Sequence, residues 1–118
     1  MKLVAVSACA TGIAHTYIAA EKLEKTARKM GHSIKIETQG IVGIENELSQ
    51  SDIADAEAAI LAIDGRIKKA ERFVSLPRIE VPILCVLEHP EEVFRKIEEL
   101  HLNYSKMLSG SAVNGATS

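Results

Sequence analysis

The fold class predicted by this sequence is an open α/β sheet, mainly parallel, with helices on both faces, and three observations carry that prediction. Strand-like and helix-like stretches alternate from Lys2 to Tyr104. Two of the strand-like stretches, Lys2–Ser7 and Ala58–Ile63, are apolar runs without polar alternation, as strands covered on both faces require. The first breaks at Cys9 into a short loop and then an amphipathic stretch, the opening of a right-handed strand–helix–strand crossover. A single three-layer domain with a four-stranded sheet is expected over residues 1–105, and 106–118 are expected to form a flexible tail or interdomain linker.

Each element has its own signal. Lys2–Ser7 is short and Val-rich, and it ends in the run Cys9-Ala10-Thr11-Gly12-Ile13-Ala14-His15-Thr16. From Thr16 to Met30, Ile18, Ala19, Leu23, Ala27 and Met30 recur at helical spacing, and Gly31 suits the position just past a helix end. Ser33–Thr38 alternates, with Ile34 and Ile36 on one face, and Gln39-Gly40 turns the chain. Residues 41–51 read as a loop, after which Ser51 or Asp52 can cap a short helix reaching about Ala56. Ala58–Ile63 is the third strand, ended by Asp64-Gly65. Ile67–Phe73 suggests a short helix, and Pro77 leads into a fourth strand at Arg78–Val81. Residues 82–88 suit either state and are read as helical turns. Pro90 then opens a helix with Glu91 and Glu92 at its positive end and Val93, Phe94, Ile97 and Leu100 on one face, ending near Tyr104. From Ser109 onward the residues are small and polar, with no face to bury.

Composition excludes several classes. At 118 residues the chain is one domain, and a net charge of −2, few aromatics and no Trp leave no footprint for nucleic acid. No apolar run approaches a membrane span and no signal peptide is evident, so a reduced, cytoplasmic setting is expected. The two cysteines lie in unlike contexts. Cys85, among Leu84, Val86 and Leu87, reads as core, whereas Cys9 lies where a thiol can act.

The chemical case for Cys9 is positional. The first N–H groups of the following helix lack intrahelical partners and carry partial positive charge, which favours a thiolate and any phosphate that the sulfur bears. Gly12 permits a backbone that turns amides toward an anion, and Thr11 and Thr16 add hydroxyl donors. Amides from Ala10 through Ile13 to Ala14 are the expected phosphate cradle. His15 is the second candidate, as a donor to the phosphate or a local positive charge, against the plainer reading of a helix-start histidine that only caps or packs. In open parallel sheets the ligand crevice lies at the carboxyl ends of strands, where Cys9, Asp64 and Gln39-Gly40 all fall.

These residues closely resemble the B component of the fructose-family enzyme II of the bacterial phosphoenolpyruvate-dependent sugar phosphotransferase system. The matching stretches are CATGIAHT (Cys9–Thr16), ETQG (Glu37–Gly40), GIENEL (Gly43–Leu48) and Asp64 followed by Arg72-Phe73. The resemblance implies that Cys9 accepts a phosphoryl group from a phosphohistidine of the A component (EIIA) and passes it to a sugar, fructose by family expectation, carried by the membrane component (EIIC). It also implies a four-stranded parallel sheet, association with the membrane only through that partner, and no cofactor. One departure stands out: Ala10 occupies the place where the family usually has Pro, which frees a φ angle and adds an N–H donor.

The remaining candidates are weaker. Gln39 and Gly40 read as shaping a loop beside the phosphate loop. Asp64 as an aspartyl-phosphate acceptor lacks an acidic cluster after the first strand, where Ala8 and Cys9 stand. Arg72 reads as a partner contact or an ion pair at the site edge, and at least equally as a solvated or structural arginine. His32, His89 and His101 share no ligand spacing with the cysteines, and no metal is expected. A small cysteine phosphatase is the rival enzyme, but it needs an arginine six positions after the cysteine, where this chain has His15. A regulatory module that uses phosphorylated Cys9 only as a signal is the second rival. A monomer is expected, since no apolar helix face stands out.

Overall fold

The computed structural model describes residues 1–9 and 14–114. Five strands, β1 (Lys2–Cys9), β2 (Ser33–Gly40), β3 (Gly43–Glu45), β4 (Ala58–Asp64) and β5 (Arg78–Val81), form one sheet in the order β3-β2-β1-β4-β5. The pairs β1–β2, β1–β4 and β4–β5 are parallel, and β3 runs antiparallel to β2. β1 thus lies between the strands to which the chain crosses in opposite directions, and its carboxyl end is the topological switch point of the sheet.

The two apolar runs occupy the centre. Residues 3–8 of β1 and 58–63 of β4 are buried without a break, because side chains on both faces are covered. On one face Leu3, Ala5, Ala58, Ile60 and Ala62 pack with Ala19, Leu23 and Ala27 of α1 (Ala14–Lys29). Ile83 and Val86 of α3 (Ile83–Glu88) and Val93, Phe94 and Ile97 of α4 (Pro90–Asn114) complete that core. On the other face Val4, Val6, Ala8, Ala59, Leu61 and Ile63 meet Leu48 and Phe73, with Ile53 of α2 (Gln50–Asp55) packed alongside. The second layer is thin: α2 and a single 3₁₀ turn, Ala70–Phe73, are its helical parts.

The α/β architecture with helices on both faces is as the sequence predicts, and the strand count is corrected from four to five. Gly40 and Gly43 pair across a two-residue turn, Ile41-Val42, and Gly43 has a φ of +104°, so the stretch read as loop returns as a three-residue edge strand. Tyr17 of α1 donates a hydrogen bond to the Glu45 carboxylate and ties that edge to the helix layer. The helix expected over 67–73 is confined to the 3₁₀ turn, since Lys69 at its start has a φ of +61°. α1 begins two residues before the expected Thr16, and residues 82–88 are helical from Ile83, as read from the sequence.

The cap of α2 is Ser49, ahead of the expected Ser51 or Asp52. Ser49 Oγ accepts from the Asp52 N–H at 3.0 Å while Asp52 Oδ2 accepts from the Ser49 N–H at 2.9 Å, a reciprocal capping box. Lys35 Nζ donates to Asp52 Oδ1 at 2.6 Å and, with the two bonds at Ser49, lowers that carboxyl to about 2. Ser49→Ala is expected to lower stability by about 1 kcal/mol, the usual cost of a lost N-cap, read as a reduced urea midpoint with an unchanged m-value.

The last helix runs to Asn114 rather than ending near Tyr104, so residues 106–114, expected as tail, continue it. Of its side chains up to Met107, Ile97 and Leu100 pack against the core, while Leu102 and Met107 are exposed. Once nucleated, a helix extends at one hydrogen bond per residue and does not need a core at every turn.

Candidate functional site

Cys9 is the last residue of β1, half-buried, unpaired with Cys85, and packed at the margin of the α1/α3/α4 core. Ala10, Thr11, Gly12 and Ile13 lie outside the described residues. Ala14 and His15 open α1 and are exposed, so His15 stands at the helix start on the same sheet edge as the thiol. Thr16 is fully buried, and its carbonyl accepts from Ser7 Oγ at 2.8 Å, which anchors the first turn of α1 to the strand that delivers Cys9.

The predicted edge residues divide by face. In the strand register Cys9 is opposite Asp64 and Ala8 opposite Gln39, so all three strand ends meet at one edge. Asp64 is exposed, and its Oδ1 accepts from the Ile83 N–H at 3.4 Å, which makes it a bridge to the start of α3. Gln39 points to the other face, together with Glu37, Val6 and Ala8, because alternate residues of a strand share a face.

On that second face lies a buried polar cluster. The Glu37 side chain is fully buried. It receives both arms of the Arg72 guanidinium, Nη1 to Oε1 at 2.8 Å and Nη2 to Oε2 at 3.0 Å, in the parallel geometry that makes arginine–carboxylate pairs strong. The Leu48 N–H donates to Oε1 at 3.0 Å and Gln39 Nε2 to Oε2 at 2.8 Å. Burial alone would push the Glu37 carboxyl up, but the Arg72 fork, the Gln39 amide and the Leu48 N–H together outweigh it and hold it below its usual value. Arg72 in turn is raised by Glu37 and lies over the Phe73 ring at 4.9 Å. Arg72 is therefore observed as a structural arginine, in an ion pair on the face opposite the thiol.

Gln39 completes the cluster by clamping the next loop. Its Nε2 donates to the Lys68 carbonyl at 3.0 Å and its Oε1 accepts from the Lys68 N–H at 2.8 Å, so one side-chain amide pairs with both backbone groups of one residue. Glu37 is the residue that the sequence reading left without a role. The available signal was a carboxylate one position from the inward-facing Ile36, on a strand with arginine and lysine in a later loop.

Among the described residues, no group of His, Cys, Asp and Glu is arranged to hold a metal ion, and no helix is long and apolar enough to cross a membrane. An open groove of about 910 Å³ lies between α2 and the 3₁₀ turn, lined by Leu48, Ile53, Lys69, Arg72 and Leu76 among others, away from the face that carries Cys9.

What remains at the switch point is a half-buried thiol at a strand end with a helix N-terminus beside it. Residues 4–96 match the family model for the lactose/cellobiose-specific IIB subunit of the PTS system. The chain is 44% identical over 97 residues to the PTS system fructose-like EIIB component 2 of Escherichia coli K12, covering 82% of this chain and 92% of that protein. It is 41% identical over 95 residues to the fructose-specific EIIABC component of Bacillus subtilis, covering 80% of this chain and 15% of that larger protein. A crystal structure of a domain from the fructose-specific IIABC component of Borrelia burgdorferi superposes with a TM-score of 0.77 at 42% identity, over 80% of this chain and 90% of that one. A family match over most of the chain and these identities show that the chain belongs to the IIB family of the sugar phosphotransferase system, as a fructose-like B component.

Proposed function

We propose that Cys9 carries the phosphoryl group between two partners, and the observation that supports this reading most is its place at the carboxyl end of β1, directly before α1. In the first step the Cys9 thiolate attacks the phosphorus of a phosphohistidine on EIIA. The S–P bond forms as the P–N bond breaks, and the imidazole keeps the electron pair and takes up a proton. In the second step a sugar hydroxyl held by EIIC attacks the phosphorus, loses its proton, and the S–P bond breaks to return the thiolate. Both steps are displacements at phosphorus, for which positioning and charge stabilisation are most of the protein's task. Backbone amides from Ala10 to Ala14 and the start of α1 cradle the phosphoryl oxygens, with Thr11 as an added donor. Fructose is the sugar favoured by the relatives.

In this reading residues 1–105 are the phosphocarrier domain, within which the family match over residues 4–96 falls, and residues 106–118 lie outside it. The protein is a protein-phosphohistidine–sugar phosphotransferase that acts in the cytoplasm and meets the membrane through EIIC. It works as a monomer and needs no cofactor. Family membership favours this carrier over a cysteine phosphatase.

Labelled phosphate followed from phosphorylated EIIA to this protein, and on to fructose in vesicles bearing EIIC, tests the reading. Label on Cys9 that reaches the sugar is the expected result. Label that stays on the protein would leave only a signalling module, and enzyme-like hydrolysis of an aryl phosphate without partners would favour a phosphatase. His15→Ala is expected to slow transfer about tenfold in both directions, the loss of one hydrogen bond to a charged group; equal rates in the two proteins would remove His15 from the site.

A further inference from the structure

The buried cluster around Glu37 costs more than a structural tie needs. Taking a carboxylate and a guanidinium out of water carries a penalty of several kcal/mol per ion, and apolar side chains of similar volume usually pack such a position as well or better. Here the cluster converges on one output. Glu37 Oε2 accepts from Gln39 Nε2, which fixes the amide so that its nitrogen faces the Lys68 carbonyl and its oxygen the Lys68 N–H. Arg72 also donates from Nε to the Lys69 carbonyl at 2.8 Å. Two successive backbone residues of one loop are thereby held from the interior of the sheet.

That loop leaves the sheet beside the thiol. It starts at Asp64, the register partner of Cys9, turns at Gly65 with a φ of +98°, and presents Arg66 and Lys68 as exposed cations. Gln39 itself is opposite Ala8, one residue before Cys9, but on the other face, so it reaches the reaction only through the loop.

We infer that Gln39, braced by the Glu37–Arg72 pair, is a positioning residue that sets the cationic 65–69 loop against the edge where Cys9 takes up the phosphoryl group. The inference rests on the phosphocarrier reading above. A phosphoryl group on sulfur brings about two negative charges to that edge, and charges fixed in advance stabilise it, whereas a loop free to move must be ordered during each transfer.

Gln39→Met tests this, since it keeps length and packing and removes the amide. Arg72→Lys keeps the charge and loses the fork, and it carries the test if Gln39→Met does not fold. At a temperature where the proteins are fully folded, the Lys68 amide is expected to exchange with solvent faster in the variants. The maximal rate of transfer from phosphorylated EIIA falls about tenfold in Gln39→Met and less in Arg72→Lys. The donor concentration for half-maximal rate stays within about twofold, as expected of groups that act on the transfer step and not on donor binding. An unchanged maximal rate despite faster Lys68 exchange would reduce the cluster to fold support and overturn the inference. Failure of the wild-type protein to accept phosphate from the donor would instead sink the carrier reading.

Discussion

Cys9→Ser is expected to abolish phosphoryl transfer, with a fall of about a thousandfold or more, while leaving the fold in place. The reason is the nucleophile. A thiol yields a usable fraction of thiolate near neutral pH and sulfur is intrinsically nucleophilic, whereas a serine hydroxyl needs an adjacent general base to react. Should a serine become phosphorylated, its oxygen would be a poorer leaving group than sulfur in the second displacement, so the sugar step would fail as well. The cysteine is half-buried at a strand end with room for either atom, and unfolding midpoints should differ little. Cys85→Ser is the matched control: Cys85 lies in α3, half-buried at the margin of the core, and its loss should leave labelling intact. Retained labelling of Cys9→Ser, or lost labelling of Cys85→Ser with normal folding, would displace Cys9 from the centre of the mechanism.

How far a sequence exposes such a site depends on how local its causes are. β1, the thiol and α1 were legible because an apolar strand, a glycine-bearing loop and an amphipathic helix follow one another within 29 residues. β4 and β5 were legible from an unbroken apolar run and from the Pro77 boundary. β3 was not, since three residues are too few to show alternation and their strand character comes from pairing with β2 across Gly40 and Gly43. Glu37 was passed over for a related reason. Alternation in β2 places Ile34 and Ile36 inward and Glu37 outward, but the outward side at that end of the strand is roofed by Leu48 and the 3₁₀ turn, so both faces are covered. Its partner Arg72 is 35 residues away, a separation at which no periodicity speaks. The cap of α2 was missed, although Ser49 and Asp52 carry the three-residue spacing of a capping box. The helix past Tyr104 escaped because its continuation depends on propagation from a packed segment and not on its own apolar face.

Arg72→Ala is expected to cost about 3–5 kcal/mol at neutral pH, the usual penalty for stripping one partner from a buried ion pair, and to lower the unfolding midpoint by upward of about 12 °C. The sign of its pH dependence is the sharper prediction. In the wild-type protein the Glu37 carboxyl lies below its ordinary value, so its contribution is fully present above the unfolded-state value and is lost as pH falls through the folded one. Without Arg72 the balance inverts, because the Gln39 amide and the Leu48 N–H are left to oppose complete burial, and the carboxyl moves up. A raised carboxyl takes up a proton on folding, so the penalty in the variant is relieved as pH falls toward its new value. The stability gap between the two proteins should therefore narrow from pH 7 to pH 5, where the wild type changes little. Glu37→Leu combined with Arg72→Met removes both charges at once, and it should recover most of the loss, leaving about 1–3 kcal/mol for the Leu48 N–H and the Gln39 amide without their acceptor. A gap that stays constant with pH would show that Arg72 supports the fold by packing over Phe73 rather than by neutralising Glu37.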